Sequence, residues 1–332
     1  MSKTLTFDPN LEQRLTAYTK QHGLIKPKQT VIIGFSGGPD SVFLLHWLSK
    51  LQSNLQLSLI AAHLDHGWRA ESARDVQWCA HAAQALGIQF ISKKASEITL
   101  PERLQNGSKE EQGRALRRAF FKEIAEKNPG AVIALGHHAD DQQETFFIRL
   151  LRGAGVTGLA GIKPRDGNVI HPLLCCTKQE IVATLEKNGI EFLVDPTNVS
   201  DQFLRNRIRM QVIPALRECD ARFDESIKRT MEHLRATDDF LQQHTLEVFK
   251  TITTKKDSNI CLHIAHFFEQ HPFMQHRLLL HWLISANAPF TPSQALFDEI
   301  TRFLHNKKSS EHMFYNAWKI VKKGELATLV LV

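Results

Sequence analysis

Apolar residues run unbroken through Val31, Ile32 and Ile33. They give way to the small and polar stretch Ser36-Gly37-Gly38-Pro39-Asp40-Ser41, after which Val42, Leu45 and Leu48 recur at helical spacing. A continuous β-branched run suits a buried parallel strand, and the recurrence after it suits a helix, so the stretch predicts strand, tight loop, helix. The alternation continues. Residues 57–67 (LSLIAAHLDHG) are a second apolar run ending in polar residues, 71–87 predict a helix stopped at Gly87, and QFISKKA (89–95) is a short third strand. Ser108 with Glu111 makes a capping box for a helix reaching about Lys127, and AVIALGHH (131–138) is a fourth strand feeding a helix that starts near Asp140. Strands alternating with helices in this way predict an α/β fold with a parallel, doubly wound sheet, whose ligands sit beyond the carboxyl ends of the strands. SGGPDS, HLDHG and GHHADD all fall at such ends, so three polar clusters distant in sequence are expected to meet at one edge of the sheet.

From Thr177, which pairs with Glu180 as another capping box, the pattern turns mostly helical, and 223–252 reads as one long helix. The first domain is expected to span 1–215. Residues 216–332 are expected to form a smaller, mostly helical α+β domain with a helix start at Thr291-Pro292 and a terminal hairpin turning at Lys323-Gly324.

With 332 residues, 42% of them hydrophobic and 23% charged, the chain has the make-up of a globular protein of about two domains. Its polar opening, MSKTLTFDPN, and the lack of any long apolar run predict neither a signal peptide nor a membrane span, and hence a cytoplasmic location. Five scattered cysteines (Cys79, Cys175, Cys176, Cys219, Cys261) include no C-x-x-C pair, which argues against a disulfide framework or a cysteine-held metal. A net charge of +6 is compatible with a polyanionic partner without requiring one. Nothing here sets the oligomeric state.

A strand entering Ser36-Gly37-Gly38 and then a helix places free backbone N–H groups and the positive helix end around one cavity, which is how proteins cradle phosphate. The spacing and the missing lysine exclude the Walker A loop, while a plain strand-to-helix turn capped by Ser36 or Asp40 is the structural alternative. Asp140, Asp141 and Glu144 open a predicted helix, where one or two carboxylates would serve the macrodipole; three exceed that need and can share one helix face. His63, Asp65, His66, His137 and His138 are ligand types for zinc or manganese, which leaves a metal-dependent phosphohydrolase open as an alternative. Arg114, Arg117 and Arg118 form a basic stripe, and Arg205 and Arg209 are the same-side pair of RNRIR.

SGGPDS after an apolar strand resembles the S-G-G-x-D-S loop of the PP-loop ATP pyrophosphatases. Within them, HLDHGWR (63–69), EEQGRALRR (110–118), GHHADDQQETFFIRLLRGAG (136–155) and RNRIRMQVIPAL (205–216) resemble the tRNA(Ile)-lysidine synthase family. The stripe departs from that family's pattern at Arg118, where an aromatic residue is usual. The resemblance implies a cytosolic ligase that uses ATP and Mg²⁺ to join L-lysine to carbon 2 of the wobble cytidine of tRNA(Ile) with a CAU anticodon. It implies that Ser36, Gly37, Gly38, Pro39, Asp40 and Ser41 hold the pyrophosphate, and that Asp65 and Arg69 border the adenosine. Asp40 and Asp141 would hold the metal, while Asp140, Asp141, Glu144, Arg205 and Arg209 would serve lysine. Asp40, Asp141, Glu144, Arg114 and Arg205 are the expected catalytic set. Lys307, Lys308, Lys319, Lys322 and Lys323 make the C-terminal domain the candidate tRNA surface. A tRNA thiolase of the same superfamily is the nearest alternative, for which adjacent Cys175-Cys176 is a poor substitute for the usual cysteine pair.

Overall fold

The computed structural model describes residues 5–67, 72–100, 109–194, 204–256, 259–288, 290–315 and 318–332. They fall into two compact units, Met1–Leu234 and Arg235–Val332.

The first unit is built on β1 (Thr30–Gly34), which pairs in parallel with β2 (Ser58–Asp65) on one side and β4 (Val132–Ala134) on the other. β3 (Gln89–Lys94) extends the sheet beyond β2, and the short hairpin of β5 (Arg165–Asp166) and β6 (Val169–Ile170) extends it beyond β4, giving the order β3-β2-β1-β4-β6-β5. Among the described residues of this sheet, the β5/β6 pair alone is antiparallel.

Successive strand residues point to opposite faces, and both faces are covered. Val31, Ile33, Leu59 and Ala61 pack with residues of α1 (Pro9–Gln21), α2 (Pro39–Leu55), α3 (Ser72–Ala85) and, later in the chain, the helix at Lys178–Lys187. Ile32, Ile60, Ala62 and Ile133 pack instead on Phe120, Phe121 and Ile124 of α4 (Lys109–Glu126). This two-sided burial explains the unbroken apolar runs of β1 and β2 and makes the sheet doubly wound.

The chain then runs through α5 (Ala139–Leu151), α6 (Lys178–Lys187), α7 (Leu204–Arg207), a single π-helical stretch at Ile208–Val212, α8 (Ile213–Cys219) and α9 (Phe223–Ile252). The division between the units lies inside α9, downstream of residue 215. Ile227, Met231 and Leu234 on its first half pack against Phe146 and Phe147 of α5 and so belong to the first core.

The second unit carries α10 (Pro272–Ser285), α11 (Gln294–His305) and a five-stranded antiparallel sheet. The strands are β7 (Thr253–Lys256), β8 (Asn259–His263), β9 (Glu311–Tyr315), β10 (Trp318–Lys323) and β11 (Leu326–Leu331), in the order β7-β8-β11-β10-β9. The terminal hairpin is present, turning through Gly324 at φ +61° immediately before β11 begins at Leu326. α11 begins two residues beyond Pro292, because the Ser293 hydroxyl accepts the Leu296 N–H at 3.2 Å and caps the helix there.

Candidate active site

The sheet order reverses between β1 and β4: the chain leaves β1 toward β2 and β3, then returns to the other side of β1. The loops after these two strands flank the switch point, where an open α/β sheet has its ligand crevice. SGGPDS follows β1 and GHHADD follows β4, so the topology alone brings two of the three clusters together.

The first loop is held by its own residues. The Ser41 hydroxyl donates to Gly38 O at 2.9 Å and accepts the Ser36 N–H at 3.2 Å, with the Ser36 hydroxyl also 3.2 Å away. Gly37 has φ +82°, and a Cβ there would meet Leu193 Cδ1 at 2.6 Å and Cys79 Sγ at 3.0 Å, so glycine is required by both backbone and space. Gly38 caps α2, Pro39 begins it and Asp40 lies in its first turn. A Cβ on Gly136 would stand 3.1 Å from the backbone of Asp40, so the bare glycine lets the two loops touch.

At the start of α5 the three carboxylates divide. Asp141 accepts the His138 N–H at 3.0 Å. Asp140 accepts the Lys178 N–H at the start of α6, at 2.7 Å, and lies 3.6 Å from Arg217. Glu144, one turn on, is fully buried beneath two arginines, with Arg205 Nε at 3.3 Å from one oxygen and Arg209 Nε at 2.5 Å from the other. Arg205 and Arg209 do share a face, and that face is turned to Glu144. Burial raises the Glu144 carboxyl above its usual range, against the pull of Arg209.

His138 ties the loops electrostatically. Its Nε2 lies 3.7 Å from Asp40 and 3.4 Å from Asp141, and its Nδ1 lies 3.4 Å from Asp140. Burial opposes its charge, but these three carboxylates outweigh the burial and hold its pKa above the usual value. Desolvation acts against the charged forms of Asp140 and Asp141 too, and the neighbouring His138 with their hydrogen bonds overcomes it, so both pKa values are lowered. The Asp40 carboxylate is also gripped by Lys178, whose Nζ sits 2.6 and 2.8 Å from its two oxygens.

The other expected residues lie as follows. Asp65 is buried at the end of β2, where its side chain accepts the Gly67 N–H at 2.8 Å. Arg69 is outside the described residues. Arg114 is exposed on α4, and its charge is felt at His137 and Arg149. His63 and His171 bond backbone carbonyls, Phe35 O at 2.9 Å and Lys163 O at 2.8 Å, which is the work of structural histidines. Among the described residues no three His, Cys, Asp or Glu side chains converge as a metal cluster. Mg²⁺ does not need one, since it keeps several waters and takes one or two carboxylates with substrate phosphates. Asp40 and Asp141, both within 4 Å of His138 Nε2, fit that requirement, and the Lys178 ammonium already shows that a cation is accepted at Asp40.

Sequence reasoning missed Lys178 and the linking role of His138. A signal existed for Lys178: a cation at the first residue of a helix opposes the macrodipole, and so calls for a partner elsewhere.

Burial lowers the pKa of His46, His63, His66, His137 and His171, with His66 and His137 reaching about 4. These groups stay neutral in the folded chain while the unfolded chain takes up protons near the ordinary histidine value. The unfolded state therefore binds more protons between pH 6.5 and 4, and stability falls as pH drops through that window. Burial lowers His281 as well, and His138 and Glu144 have the opposite sign but are two groups against six. The urea midpoint is expected to decline steadily from pH 6.5 to 4; a flat or rising midpoint would show that the histidines are not buried neutral.

Comparison with known proteins places this geometry. A PP-loop domain model matches residues 7–216. The tRNA(Ile)-lysidine synthase of Bacillus cereus (strain ATCC 14579) is 32% identical over 323 residues, covering 94% of this chain and 68% of that protein. The synthase of Geobacter sulfurreducens is 35% identical over 264 residues, 78% of this chain and 56% of its own. Among solved structures, the U34-tRNA thiolase NcsA from Methanococcus maripaludis, with its 4Fe-4S cluster, matches at a TM-score of 0.56 and 18% identity, covering 68% of this chain and 78% of that one. That structural likeness concerns the fold. The sequence matches run through the phosphate loop, the start of α5 and the arginines of α7 alike, and on them the chain belongs to the tRNA(Ile)-lysidine synthase family of PP-loop enzymes.

Proposed function

We propose that this enzyme joins L-lysine, through its side-chain amine, to carbon 2 of the wobble cytidine of tRNA(Ile) with a CAU anticodon, consuming ATP and releasing AMP and pyrophosphate. The observation that carries the reading is the meeting of the SGGPDS loop with Asp140 and Asp141 through His138, in a chain whose relatives bear the synthase name. Oxygen at carbon 2 is a poor leaving group. Its attack on the α-phosphorus of ATP, with loss of pyrophosphate, converts it to an adenylate. Lysine's amine then forms the new carbon–nitrogen bond, AMP departs with the oxygen, and the amine gives up a proton.

In this scheme the Ser36–Ser41 loop cradles the pyrophosphate with its N–H groups and the α2 N-terminus. Asp40 and Asp141 would hold Mg²⁺, which when bound offsets the phosphate charge. Asp140 and Asp141, held ionised, suit the ammonium of the incoming lysine. Arg205 and Arg209, anchored by Glu144, suit phosphate or the lysine α-carboxylate. For the tRNA we favour the C-terminal unit, where Lys307, Lys308 and Lys323 are exposed. Lys319 is paired with Glu311 at 2.8 Å, and Lys322 is engaged by Phe303 O and Asn306 O, so the basic surface is narrower than its lysine count.

The test is incubation of the full chain with MgATP, labelled lysine and tRNA(Ile) carrying CAU. Label is expected in the RNA, with AMP released in step. No incorporation, with AMP release indifferent to lysine, would overturn the assignment.

A further inference from the structure

Lys178 is an unexpected presence at the phosphate loop. It is the first residue of α6, where the helix dipole disfavours a cation, yet its Nζ meets both oxygens of Asp40 at 2.6 and 2.8 Å. Its backbone is secured without the side chain. The Lys178 N–H donates to Asp140, and Thr177 and Glu180 close a capping box around the helix end, with the Thr177 N–H on Glu180 at 2.8 Å and the Glu180 N–H on the Thr177 hydroxyl at 3.2 Å. The ammonium can therefore leave Asp40 while α6 stays in place. It is also free to do so, since the Lys178 side chain is 40% exposed and that of Asp40 29%, and an ion pair this open to water is weak enough to exchange.

Resting on the reading of Asp40 as a metal carboxylate, we propose that Lys178 is a positioning residue whose ammonium occupies the cation place on Asp40, so that a divalent cation binds there only by displacing it. The ammonium orients Asp40 and offsets its charge beside Asp140 and Asp141. A bare hydrated cation must compete with it. A cation arriving on a polyphosphate competes better, because the phosphate oxygens supply the remaining ligands. Lys178 thereby favours entry of the metal together with the nucleotide.

Mn²⁺, which prefers the same oxygen ligands and is paramagnetic, serves as the probe. It is titrated by electron paramagnetic resonance into the nucleotide-free full chain as wild type, Lys178→Met, Lys178→Arg and Asp40→Asn. Lys178→Met is expected to bind Mn²⁺ roughly three- to tenfold more tightly than wild type, as the loss of a partly exposed competing charge implies. Lys178→Arg is expected to bind like wild type, and Asp40→Asn to lose the site. General damage to the loop would weaken binding, the opposite direction. If Lys178→Met binds no tighter than wild type while Asp40→Asn loses the ion, the role of Lys178 is overturned and the metal reading stands. If Asp40→Asn binds as wild type does, the metal reading falls and this inference with it.

Discussion

Replacing Asp40 by Asn is expected to reduce AMP formation at least about a hundredfold, the order of loss seen when one charged or oriented group is removed from a preorganised site. The fold should survive. Asp40 lies in the first turn of α2, where a carboxylate contributes about 0.3–1 kcal/mol through the helix dipole. Its pair with Lys178 is partly exposed and adds at most about 1 kcal/mol. Asn keeps the shape and an acceptor oxygen, so the thermal midpoint should move by only a few degrees. AMP release from labelled ATP and a melting curve on the same preparation separate the two effects. Turnover above a tenth of wild type in a folded variant would remove Asp40 from the chemistry and leave SGGPDS a strand-to-helix turn.

The elements that frame the site are legible because their signals are local. Val31-Ile32-Ile33 is buried on both faces, the long helix of 223–252 occupies the residues its periodicity marks, and the Thr177–Glu180 capping box is made as its spacing requires. What was not legible depends on distance along the chain. The contact of Lys178 with Asp40 joins residues 138 positions apart, and no pattern around either names the other. β5 and β6 are two residues each, too short to show a period, and β7 (TTKK) is polar and mostly exposed. The acidic triplet shows the limit most clearly. Helical spacing put Asp140, Asp141 and Glu144 on one face, which suggested one anionic pocket. The structure leaves His138 between Asp140 and Asp141 but divides the triplet, because α6 approaches Asp140 while α7 and the π-helical stretch bring Arg205 and Arg209 onto Glu144.

That burial makes Glu144→Ala the substitution with the largest expected effect on stability. A fully buried carboxylate costs several kcal/mol to desolvate, and its two arginines offset the cost. Removing it leaves two guanidinium groups side by side without their shared anion. Breaking a fully buried pair typically costs ~3–5 kcal/mol. Here the arginine side chains are 27% and 42% exposed and can rehydrate in part, so we expect about 2–3 kcal/mol, read as a lowered urea midpoint at pH 7. Glu144→Gln keeps the shape and one acceptor and should cost less. Arg209→Ala should also cost less than Glu144→Ala, since Arg205 remains on the carboxylate, and the double variant should show coupling of about 1 kcal/mol or more. The comparison distinguishes two roles for Glu144. If it anchors the arginines, stability and activity fall together in Glu144→Ala, and Arg205→Ala loses activity with a smaller loss of stability. A Glu144→Ala protein as stable as wild type but inactive would mean that the carboxylate acts on lysine directly, and that the arginines are held by something else.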